Sequence, residues 1–111
     1  MKLTRDADCL ICEIYAHYLA KLDSGLSQSR ARYLGSAEEI YNNIVSEYSV
    51  EDISAICAEL DKHNLISCQF ASGMVIDSLL LPAGIAYMES RFSSKIENVL
   101  NWISKIKSIL P

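Results

Sequence analysis

At 111 residues, half of them apolar, the chain has the length and composition of one domain with a single core. Its longest stretch without charge, residues 64–76, is broken by Ser67, Gln69, Ser72 and Gly73, which is too short and too polar for a membrane span. The net charge of −4 is unevenly spread: residues 1–35 carry five basic and four acidic side chains, residues 36–90 one basic and nine acidic, and residues 91–111 four basic and one acidic, which disfavours the middle of the chain as a polyanion-binding surface.

The chain starts Met1-Lys2-Leu3-Thr4-Arg5-Asp6, with no apolar signal region, so a cytoplasmic protein is expected. The first helix is predicted over about residues 6–23, where Asp6 and Asp8 suit the positive end of its dipole. Ala7, Ile11, Ile14, Tyr15, Tyr18 and Leu22 make one stripe at helical spacing, and Leu10, Cys12, Ala16 and Leu19 widen it. A helix apolar on two sides calls for two neighbours. Ser24-Gly25 ends it, and residues 26–35 read as a polar connector carrying Arg30 and Arg32, with room for a short helical turn.

Ser36 and Glu39 stand at capping-box spacing and open a second helix with Ile40, Ile44, Val45 and Tyr48 inward. Ser49 and Asp52 repeat the signal for a third, whose inward positions are Val50, Ile53, Ile56, Cys57 and Leu60. Its other side is Glu51, Asp52, Ser54, Ala55, Ala58, Glu59, Asp61 and Lys62. Glu47-Tyr48-Ser49 then forms the joint of a helix-turn-helix.

After His63-Asn64 the apolar period falls to two. Two strands, residues 65–70 and 74–81, are predicted around a Ser72-Gly73 turn. That turn sets Phe70 opposite Val75, Cys68 opposite Asp77 and Ile66 opposite Leu79. The core side is then Ile66, Cys68, Phe70, Val75 and Leu79, leaving Leu65, Ser67, Gln69, Ile76 and Ser78 outside. Pro82 suits the first position of a fourth helix reaching about residue 92. Ser94 and Glu97 cap a fifth, striped by Ile96, Val99, Leu100, Ile103, Ile106 and Leu110.

Helix–helix–helix–hairpin–helix is the winged-helix order, here with one added C-terminal helix. The fold class expected is mainly α with a small β-hairpin, a winged helix-turn-helix over residues 1–92 and an amphipathic helix over 93–111. The stretch 36–91 resembles the winged-helix proteins of bacterial and prophage regulators, and in particular the small YjcQ-type proteins. Ser49 to Asn64, His63-Asn64-Leu65-Ile66 entering the hairpin, and Leu80-Leu81-Pro82-Ala83-Gly84-Ile85-Ala86-Tyr87-Met88 carry the resemblance. In such proteins the second strand commonly ends in Leu-Thr-x-x-Gly; Leu81 stands where the threonine cap would be. The resemblance implies this fold and a tendency to bind double-stranded DNA, with no ligand and no catalytic residue.

Two functions are open at this point. The first is a small regulator or accessory factor that binds DNA, the helix before the hairpin entering the major groove. Its contact candidates are Arg30 and Arg32 for phosphates and Ser54, Ala55 and Lys62 toward the groove. Lys21, Arg91, Lys95, Lys105 and Lys107 are further cations that a fold or a dimer could gather. Against it, the outer side of that helix has four carboxylates and one ammonium, and the hairpin tip has no Lys or Arg. The second is a protein-interaction module that offers this acidic side to a basic partner.

The fifth helix, with Trp102 beside its aliphatic stripe, folds back on the first helix or pairs across a two-fold axis. Ile96, Val99, Leu100, Trp102, Ile103, Ile106 and Leu110 are the candidate homodimer interface, and the dimer is the preferred expectation. Cys9, Cys12, Cys57 and Cys68 have zinc-ligand chemistry but sit at periodic apolar positions without knuckle glycines. Buried thiols are expected, with no metal and no other cofactor. His17 and His63 are far apart and no nucleophile–base arrangement is recognisable, so no enzyme is expected.

Overall fold

The computed structural model describes residues 1–93 and 95–109, and of residue 109 the backbone alone. The Ser94–Glu97 cap pair and Leu110 of the expected terminal stripe lie outside the described residues.

Helix α1 spans Arg5–Asp23, starting one residue ahead of expectation, and Thr4 caps it: the Thr4 hydroxyl accepts from the Ala7 N–H. Both its apolar sides are used. Leu10, Ile11, Ile14 and Tyr15 have no exposed surface, with α4 (Val50–Lys62) on one flank and α6 (Ile96–Ile109) along another. The polar connector does contain a helical turn, α2 (Gln28–Ala31), capped by Ser27.

Helix α3 (Ala37–Asn43) has the reciprocal Ser36–Glu39 box that its spacing predicts. It ends earlier than the apolar pattern suggests. Ile44 and Val45 leave the helix but still face the core, so residues 44–49 form the joint with α4 in place of the three-residue turn expected. The buried side chains kept their inward direction while the backbone changed, which periodicity alone does not distinguish from a longer helix.

Strands β1 (Ile66–Ala71) and β2 (Met74–Leu80) pair antiparallel around Ser72 and Gly73, both with positive φ (52° and 80°), as a tight primed turn requires. Phe70 faces Val75 as expected. Beyond that pair the register slips: Gln69 faces Asp77, Cys68 faces Ser78 and Ile66 faces Leu80, leaving Ile76 as an extra residue. The expected core face is corrected accordingly. Ser78 and Leu80 are inward and Leu79 is outward, Leu65 is buried, and Phe70 is 42% exposed. A third short segment joins the sheet: Tyr33 bridges to Leu79, the Leu34 and Gly35 N–H groups donate to the Ser78 carbonyl, and Leu80 N–H donates to the Arg32 carbonyl.

Helix α5 (Pro82–Phe92) begins with Pro82 in the first turn and no side-chain cap at Leu81. Six helices and one two-stranded antiparallel hairpin therefore make up the described residues, a mainly helical fold. Among those residues no helix is long and apolar enough to cross a membrane.

Candidate functional site

The surface singled out by the sequence is the outer side of α4 with the hairpin beside it. Ser54 does not belong to it. It is 2% exposed, and its hydroxyl accepts from the Val75 N–H at 3.0 Å, fastening β2 to α4. Ala55 and Lys62 are exposed as expected. Two of the acidic groups have structural tasks: Glu59 accepts from the Thr4 N–H (2.8 Å) and hydroxyl (2.7 Å), and Asp61 accepts from the Cys68 N–H at 3.0 Å. The bonds from Thr4 hold the Glu59 carboxyl below its ordinary pKa. Glu51 and Asp52 are exposed, and among the described residues neither carboxylate has a partner. The hairpin tip, Gln69 to Gly73, is exposed throughout and brings no cation.

The cations do not converge to compensate. Arg32 is half-buried and its Nε donates to the Leu80 carbonyl at 2.7 Å; it lines a cleft of about 320 Å³ with Tyr18, Leu22, Ile85 and Glu89, away from α4. Lys21 donates to the Tyr33 carbonyl at 3.0 Å, and burial lowers its pKa. Arg91 pairs with Asp8 at 2.5 Å and lies over the rings of Phe92 (4.7 Å), Trp102 (5.6 Å) and Tyr87 (5.7 Å). Lys107 reaches Glu13 at 2.8 Å and Glu47 at 2.6 Å. Burial opposes the Lys107 charge, but these two bonds outweigh it and raise its pKa. Of the candidate cations near either end of the chain, Arg30, Lys95 and Lys105 stay on the surface, and the rest bind the fold together.

The terminal helix packs on α1 of its own chain, one of the two arrangements that the sequence leaves open. Val99, Ile103 and Ile106, three of the proposed dimer residues, are buried at 0%, 6% and 7% in the same chain's core. Ile96 is half-buried beside them. Leu100 (48%) and Trp102 (38%) are the exposed ones, and the Trp102 indole packs on Phe92 and donates to Asp8 at 3.3 Å.

The thiols are placed for packing. Cys9, Cys12 and Cys57 are buried, and Cys68, half-buried, points its thiol at the Cys57 carbonyl, 4.0 Å away. Burial pushes the Cys12 thiol up to about 12, and contact with Cys68 followed by burial pushes Cys57 up as well, so neither supplies a thiolate at neutral pH. Burial, with Lys21 nearby, lowers the His17 pKa. Among the described residues no group of three or more His, Cys, Asp and Glu could hold a metal ion.

Sequence reasoning missed one surface residue that matters, Ile76. The sequence places it outside as a regular member of the ladder, and the structure makes it the extra residue of a bulge. A parity conflict was the available signal: Val75 and Leu80 are both large aliphatic β-formers, and an unbroken strand points them to opposite faces. Compared with protein families, curated protein sequences and solved structures, the chain finds no match.

Proposed function

We propose that the chain is a small non-enzymatic winged-helix module that works by contact with another protein, through the acidic side formed by α4 and the hairpin. The order of α1, α3, α4, hairpin and α5 supports the winged-helix reading. The observation that carries the protein-contact reading is electrostatic. The helix that would enter a major groove exposes Glu51 and Asp52 without partners, and Lys62 is its one cation. Since phosphate neutralisation dominates affinity for a duplex, this side repels the ligand that most such folds use.

A DNA-binding regulator of prophage type remains the second reading, favoured by the same element order and by the exposed Arg30. Titrating the chain with random-sequence duplex DNA at about 50 mM salt, where the phosphate contribution is large, separates the two. No binding is expected. Binding that weakens steeply as salt rises would instead establish the DNA reading.

A further inference from the structure

The bulge in β2 has a structural reason that fixes its place but not its residue. Val75 is buried at 3%, Ser78 at 2% and Leu80 at 0%. One odd and two even positions can share a face of a strand only if an extra residue intervenes, and Ile76 is that residue. Any side chain would satisfy the ladder there. This chain uses isoleucine and leaves it 53% exposed.

Its surroundings extend the apolar surface. Ile76, Met74 and Val50 line a groove of about 320 Å³ between the starts of α3 and α4 and strand β2, with Glu38 also on its wall. Met74 and Val50 are half-buried, and Glu38 is exposed. Glu51 and Asp52 follow Val50 directly in the first turn of α4. Among the described residues Glu38, like Glu51 and Asp52, has no hydrogen-bonding or ionic partner for its carboxylate. The groove is therefore apolar inside, with Glu38 as the acidic residue on its wall and no lysine or arginine among the residues lining it.

We propose that this groove docks a basic amphipathic segment of a partner protein. Aliphatic side chains of the segment lie on Ile76, Met74 and Val50, and its lysines or arginines are drawn to Glu38 on the wall and to the acidic side of α4 beyond it. The proposal rests on the protein-contact reading of this side of the molecule and names the chemistry of the partner. Apolar anchors supply the affinity in such grooves, and the carboxylates select a cationic segment and speed its encounter.

The test is a titration of the isotopically labelled full chain at about 50 mM salt. The probe is a synthetic amphipathic peptide of about 14 residues, leucine on one face and lysine on the other. Expected are amide shifts centred on Val50, Met74 and Ile76, and binding about tenfold weaker for Ile76→Ser. A similar loss is expected for Glu38→Gln combined with Glu51→Gln. The same peptide with glutamate in place of lysine should not bind, and equal binding of it overturns the charge match. Ile76 is exposed, so a thermal melt should show Ile76→Ser folded. Binding that shifts other residues of α4 and ignores Ile76→Ser overturns the groove and leaves the protein-contact reading standing. Absence of peptide binding overturns the groove; if duplex DNA binds in the same buffer, the protein-contact reading falls with it.

Discussion

Gly84 has the least room of the four glycines. A Cβ built on it would lie 2.2 Å from the Leu65 carbonyl oxygen, a backbone atom that also accepts from the Leu81 N–H. The first turn of α5 therefore rests directly on the entry to β1, and no side chain can bend away to make room. Gly84→Ala is expected to cost about 2 kcal/mol or more, read as a lower urea midpoint, because backbone must move where core overpacking usually displaces side chains. This glycine is legible in the sequence as the one that closes the Leu-Thr-x-x-Gly-like segment at the end of the second strand, although its reason, a close backbone approach, is not.

Ser54 shows the opposite case. As a small polar residue beside Ala55 it reads as part of an outer face, yet it is a buried acceptor for the Val75 N–H. Ser54→Ala should cost about 1–3 kcal/mol, since it strands a buried N–H at the bulged end of β2. If the melting temperature is unchanged, that N–H has another acceptor and Ser54 is not the fastening point. The error came from the flank of α4: helical spacing within α4 places Ser54 beside the apolar stripe but does not record that the hairpin packs there.

At the scale of elements, the amphipathic character of α1 and α6 was readable, but not which surface each would cover. Two wide apolar stripes can meet in one chain or between two, and the sequence contains the same residues in either case. The ion pairs that tie α6 into its own chain are those of Lys107 with Glu13 and Glu47. Such partly exposed pairs guide more than they stabilise. Lys107→Met should lower stability by at most about 1 kcal/mol, and by less in high salt.

Their pH dependence has a definite sign. The hydrogen bond from Lys107 holds the Glu47 carboxyl below its ordinary pKa, as the bonds from Thr4 do for Glu59. A carboxylate depressed in the folded state contributes stability above the unfolded value, about 4.3, and loses it as pH falls through the folded value. Unfolding free energy should therefore decline from about pH 5 downward, and Glu59→Gln should flatten part of that slope. A chain whose stability is level between about pH 5 and pH 3 would show that neither bond persists in solution.

For the whole molecule, the decisive quantity is how much apolar surface remains after α6 has folded back. A stable dimer of ordinary size buries about 800 Å² on each partner. Among the described side chains of α6, Leu100 and Trp102 are the exposed large apolar ones, and the Trp102 indole is partly spent on Phe92 and Asp8. Two such side chains fall well short of that area. The mass in solution at tens of micromolar should therefore be that of one chain, and a persistent dimer would mean that α6 pairs outside its own fold. Substitution separates these cases further. Val99 is fully buried, so Val99→Asp should destabilise folding by several kcal/mol if α6 packs in its own chain, because it places a carboxylate in the core. Leu100→Ser, at an exposed position, should leave stability within about 0.5 kcal/mol. If instead Val99→Asp yields a stable monomer from a wild-type dimer, the helix covers a partner, and its surface belongs to assembly and not to the core.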